Sequence, residues 1–156
     1  MSTTSLQSAK LYLEDLTPGR LFKSCEITLD STAIKAFASQ FDPQLFHLDE
    51  AAAAKTFFGG LVASGWHTTA LTMRLLVEGG LPIAGGIIGA GTDELRWPRP
   101  VRPGDTLHVE SEVLEVRPSR SRTDQGLMKV RATTFNQLNE PVQVMIANLV
   151  VPRRPA

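Results

Sequence analysis

Asp42 and His47 stand five residues apart in the segment FDPQLFHLD, residues 41–49. A carboxylate and an imidazole at that spacing can share one water. The imidazole exchanges protons near neutral pH, and the carboxylate orients the water and shares the proton traffic. Just downstream, Phe57-Phe58-Gly59-Gly60 and then Ser64-Gly65 lead into the most helix-like and least charged run of the chain. Unpaired N–H groups and the dipole at a helix start stabilise negative charge. Glycines there let another backbone or a ligand come close. A polar pair beside a glycine-rich helix N-terminus is suited to activating water next to a polarised carbonyl.

Other reactive side chains fit blander roles. His67 falls in the first turn of the main helix and is read as packing or capping. His108 lies in an alternating strand and is expected to face solvent. These scattered histidines and the single Cys25 do not make a metal site. Ser64 lacks the Gly-x-Ser-x-Gly setting of a nucleophile and suits a helix N-cap. Trp66 and Trp97 favour ordinary packing over lining an acyl pocket. Arg96, Arg99 and Arg102, with Arg117, Arg120 and Arg122, could grip phosphates. A surface set balanced by Glu110, Glu112 and Glu115 is an equal alternative.

The elements that must hold the pair follow from local signals. Leu21–Leu29 reads as a first strand. Asp30 or Ser31 can cap a helix over about 32–40 that stops at the Asp42-Pro43 step. Asp49 can cap a short helix over about 50–56, broken by Gly59-Gly60. The main helix runs from about Val62 or Ser64 to Glu78, apolar over most of its circumference, with Gly79-Gly80 as its stop. Four β-rich runs follow, 83–97, 106–116, 127–137 and 142–151, separated by Pro- and Gly-containing turns. Their short connections predict antiparallel neighbours in an α+β layered fold.

The totals bound the function. A chain of 156 residues, 42% apolar, suits one soluble globular unit. We expect a flexible N-terminus over 1–10 and a single domain over 11–156. Sixteen basic and sixteen acidic residues give a net charge of +0, which argues against nucleic-acid binding. No signal peptide or membrane span is legible, so a cytoplasmic protein is expected.

The segment 41–49 resembles the hydratase motif of the MaoC-like dehydratases, the (R)-specific enoyl-CoA hydratases. Arg96–Leu107, RWPRPVRPGDTL, is similar to that family's strand–turn–strand signature, and Gly59–Gly65, GGLVASG, to the approach to its central helix. The resemblance runs over about residues 15–150. It implies a hot-dog fold, an antiparallel sheet of about five strands wrapped around a long central helix, and at least a homodimer. It implies Asp42 and His47 as catalytic residues and Gly65 as the favoured oxyanion donor. Ser64, Gly60 and Gln44 would lie close to the substrate. The implied reaction interconverts 2-enoyl and (R)-3-hydroxyacyl thioesters of coenzyme A or a carrier protein, without metal or organic cofactor. Gln44 stands where the family usually has Asn, Ser64 where it often has His, and Ala70 where it sometimes has Ser. A thioesterase on the same fold, or a non-catalytic acyl-thioester-binding or structural subunit, are the alternatives.

Overall fold

Four long strands dominate the second half of the chain in the computed structural model, which describes residues 10–156. They are β3 (Ile88–Arg96), β4 (Thr106–Pro118), β5 (Gln125–Phe135) and β6 (Pro141–Pro152), preceded by the short β1 (Leu21–Lys23) and β2 (Ile27–Thr28). All pair antiparallel in the order β1-β4-β5-β6-β3, and β2 joins β4 beside β1. Of the N-terminal segment expected to be flexible, all but Lys10 lies outside the described residues.

β5 shows why the sheet has one dry face. Gly126, Met128, Val130, Ala132 and Thr134 are buried in strict alternation with half-buried neighbours, the period-2 geometry of a strand. Val109 and Val113 from β4 and Leu149 and Val151 from β6 complete that face. Each such aliphatic side chain contributes roughly 1.5–3 kcal/mol when fully buried.

The helices cover this face. α1 (Ser31–Phe41) starts at Asp30, whose carboxylate accepts the Ala33 N–H at 2.8 Å, and buries Ile34 and Ala38. It ends at Asp42 as the proline step requires. Two single-turn helices follow, α2 (Leu45–Leu48) and α3 (Glu50–Ala53), the latter capped by Asp49. α4 (Gly65–Leu75) starts at Ser64 and runs into a wider π turn, Leu76–Gly80, in which Gly79 has φ 128°.

Several sequence expectations need correction. The first strand is interrupted. Lys23 pairs with Glu110 and Ile27 with Leu107, so one extra residue bulges out on this strand. The Ser24 hydroxyl there takes the Val109 N–H at 2.8 Å. β3 begins at Ile88 rather than near Ile83, because Gly85 and Gly86 turn the chain through positive φ. Ile83 instead bridges Leu11. His108 does not face solvent: it is 6% exposed and its ring lies 5.4 Å from that of Phe135.

The central helix also differs from the expected apolar cylinder. Its buried side carries His67, Thr68, Thr72 and Leu75, while Trp66, Met73 and Val77 are exposed and Leu61 is buried ahead of the helix. The Thr72 hydroxyl meets that of Thr134 on β5 at 2.6 Å, so at this point the helix presents a paired polar group to the sheet. Among the described residues no helix is long and apolar enough to cross a membrane.

Candidate active site

Asp42 ends α1 and His47 sits within α2, so one tight turn separates their backbones. Pro43 prevents α1 from continuing, and the Gln44 N–H closes back on the Asp42 carbonyl at 2.8 Å. The pair then meets through side chains: His47 Nε2 lies 3.1 Å from Asp42 Oδ2. Sequence spacing predicted this proximity, although not the four-residue helix that aims the imidazole.

The tautomer follows from the other ring nitrogen. His47 Nδ1 is 2.6 Å from the Val62 carbonyl, which can only accept. Nδ1 therefore carries a proton and donates it. Nε2 lies against Asp42 Oδ2, and because a bare ring nitrogen and a carboxylate oxygen both accept, their 3.1 Å contact is a hydrogen bond with one proton between them. His47 is buried, 5% exposed. Its ring is fixed edge-on to Phe46, centroids 4.6 Å apart.

Asp42 is held as a carboxylate. Burial pushes its carboxyl upward, but hydrogen bonds from Gln44 and Ser64 and the neighbouring His47 outweigh that and keep it below the usual range. Gln44 Nε2 donates to Asp42 Oδ1 at 2.6 Å, leaving Oδ2 for His47. The sequence placed Gln44 near the substrate. Its contact is with the dyad.

Ser64 links the dyad to α4. Its hydroxyl helps to depress the Asp42 carboxyl and accepts the Trp66 N–H at 3.2 Å. At the first helical position the Gly65 N–H has no intrahelical acceptor. The missing side chain at Gly65 is occupied by protein: a Cβ there would lie 2.6 Å from Trp97 Cε2. Gly60 is similar, with the Arg102 guanidinium 3.3 Å from where its Cβ would be.

A cavity of about 340 Å³ opens beside the dyad, lined by Phe46, His47, Phe58, Gly65, Thr68 and Trp97, with Arg99 at its edge. The structure thus brings Asp42, His47, Gln44, Ser64 and Gly65 together. The arginine candidates are spread out. Arg96 pairs with Glu94 on β3 and Arg99 with Glu140 at 2.9 Å, while Arg102 donates to the Phe58 carbonyl at 2.7 Å. Arg117 and Arg120 line a separate cleft of about 470 Å³ that contains no dyad residue. Cys25 is exposed between β1 and β2.

Trp97 forms a wall of the dyad cavity, a role the sequence ranked below ordinary packing. Gln143, which holds Trp97, was not singled out. The available signal was one amide interrupting the apolar run PVQVMIANLVV.

Comparison with known proteins gives concordant matches. A family model described as MaoC like domain matches residues 15–136. The crystal structure of a MaoC-like dehydratase from Rhodospirillum rubrum superposes with a TM-score of 0.91 at 58% identity, covering 94% of this chain and 99% of that one. The unliganded (R)-hydratase PhaJ1 from Pseudomonas aeruginosa gives a TM-score of 0.74 at 31% identity, covering 93% and 88%. A 3-hydroxybutyryl-CoA dehydratase of Methylorubrum extorquens is 36% identical over 113 residues, which is 72% of this chain and 69% of that protein.

Proposed function

The chain belongs to the MaoC-like domain family and has its hot-dog fold, and from that premise we propose that it hydrates 2-enoyl thioesters to (R)-3-hydroxyacyl thioesters and catalyses the reverse dehydration. The observation that carries this reading is the Asp42–His47 pair itself, Nε2 3.1 Å from Oδ2 and Nδ1 anchored on the Val62 carbonyl at 2.6 Å, beside the cavity.

In the hydration direction a water bound against the Asp42–His47 pair adds its oxygen to the β-carbon. One of its protons passes to the carboxylate–imidazole pair, and the double-bond electrons move toward the thioester oxygen. That oxyanion is met by the Gly65 N–H and the dipole of α4. The dyad then returns the proton to the α-carbon on the same face, which restores the carbonyl. Gln44 and Ser64 keep Asp42 ionised throughout. The step balances with water alone, so the reading includes no metal or organic cofactor.

The acyl group is carried on coenzyme A or a carrier protein, with Arg99 at the rim as a phosphate contact. The active form in this reading is a cytoplasmic homodimer built from the single unit over 11–156. The edge strand β3 and the exposed Trp66, Met73 and Val77 support an association of this kind.

The test is incubation of the purified protein with a short 2-enoyl-CoA, following the conjugated thioester absorbance and free thiol together. Loss of absorbance without thiol is expected. Thiol release would move the chain to the thioesterases, and silence in both channels across chain lengths would overturn the enzymatic reading.

A further inference from the structure

Gln143 lies in β6 with no exposed surface, opposite Thr134 of β5. Nothing in the proposed reaction uses it, and a buried carboxamide is costly unless its hydrogen bonds are made. The Trp97 indole can only donate, so the atom facing it must be the amide oxygen. Gln143 Oε1 accepts Trp97 Nε1–H at 3.0 Å and the Thr69 hydroxyl at 2.7 Å. Nε2 donates to Thr72 Oγ1 at 3.2 Å. Thr72 in turn donates to the Thr68 carbonyl at 2.9 Å and lies 2.6 Å from the Thr134 hydroxyl, which must then be the donor. One amide thereby ties the end of β3, the helix α4 and the strands β5 and β6.

The consequence falls on Trp97. Three of its ring atoms lie within 2.9 Å of where a Gly65 Cβ would stand, so the indole is pressed against the start of α4. It lines the same cavity as His47, yet it is 41% exposed, and without Gln143 its indole N–H has no acceptor among the described residues. We propose that Gln143 is a positioning residue that latches Trp97 as a fixed wall of the acyl cavity, and that this latch restricts the site to short acyl chains. The inference takes its ligand class from the hydratase reading. The cavity's about 340 Å³ is near the small end of ligand sites, which agrees with a short acyl group.

The test is equilibrium binding of saturated butyryl-CoA and octanoyl-CoA, which cannot turn over, measured calorimetrically on the full chain. The wild type is expected to prefer butyryl-CoA. Gln143→Met should narrow that preference by about tenfold, a shift of about 1.4 kcal/mol, and Trp97→Ala by at least as much. Adding Gln143→Met to Trp97→Ala should change nothing further, because the amide acts through the indole. A folded Gln143→Met with an unchanged ratio, or an equal shift in both backgrounds, overturns the latch. If Gln143→Met does not fold, an unchanged ratio in Trp97→Ala overturns it instead. Hydration of 2-enoyl-CoA is measured in the same samples. A ratio shift without hydration keeps the latch and removes the hydratase reading, and hydration with unmoved ratios does the reverse. A wild type that neither binds these acyl-CoAs nor hydrates overturns both, while one that hydrates without binding them overturns the latch alone.

Discussion

The Asp42–Gln44–His47 cluster and the Gln143–Trp97–threonine cluster both reach the N-terminal turns of α4, yet they share no side chain. In the first, partners lie two and five residues apart, two of three members are ionisable, and Asp42 keeps 18% of its side chain exposed. In the second, partners across the sheet lie 46 to 74 residues apart, every member is neutral, and Gln143, Thr72 and Thr134 have no exposed surface. An ionised carboxylate needs water or several donors, so the reactive cluster stays beside the cavity. Neutral amides and hydroxyls can be buried completely, provided each donor finds an acceptor. The first cluster is therefore arranged to do chemistry, and the second to hold a shape.

The largest effect should come from breaking the first cluster without touching the second. Asp42→Asn and His47→Gln are each expected to lower kcat for 2-enoyl-CoA hydration by about 10³-fold, in the range of a lost general acid–base group. Their urea midpoints should stay close to wild type. A folded variant with more than a tenth of wild-type activity would remove its residue from the mechanism.

Breaking the second cluster should reverse that pattern. Gln143→Leu removes the acceptor of Trp97 Nε1, while Thr69 keeps the Gly65 carbonyl and Thr72 keeps Thr68 and Thr134. With about 1–3 kcal/mol for one orphaned group, a stability loss of about 2 kcal/mol is expected in urea denaturation. A loss below about 1 kcal/mol would mean that the network relaxes or hydrates and is no rigid frame.

The smallest effect tests a titratable group inside the neutral interior. His67 is 7% exposed, stacks on Phe37 with centroids 4.6 Å apart, and has no hydrogen-bond partner for Nδ1 among the described residues. Burial holds its pKa below the ordinary 6.5. As pH falls below that value the unfolded chain takes up the proton first, so stability present above it is lost toward the depressed pKa. His67→Phe should flatten the fall of Tm as the pH drops below about 6.5. An identical fall in wild type and variant would assign the acid sensitivity elsewhere. Asp42, also depressed, adds a loss of the same sign only at lower pH, below the ordinary 3.8.

Much of this was legible in the sequence because it is local. The Asp42-Pro43 step, the caps at Asp30, Asp49 and Ser64, and the glycine stops at Gly59 and Gly79 act within a turn of where they stand. The alternation read in β4 and the spacing of Asp42 and His47 are local as well. Those features were enough to predict the layers, the order of the helices and the closeness of the dyad. The Ser24 bulge, the burial of His108 and the polar underside of α4 were not legible, because each depends on what another strand or helix offers across the core.

The sequence by itself determined which groups are available and which segments turn, cap and alternate, since those choices are made by backbone sterics and side chains a few residues apart. Only the tertiary structure decided that His47 donates through Nδ1 to Val62, that Trp97 fills the space beside Gly65, and that Gln143 holds it there. Those contacts join residues 15, 32 and 46 positions apart. Their partners are selected by packing the whole sheet against one helix, and no local signal specifies that in advance.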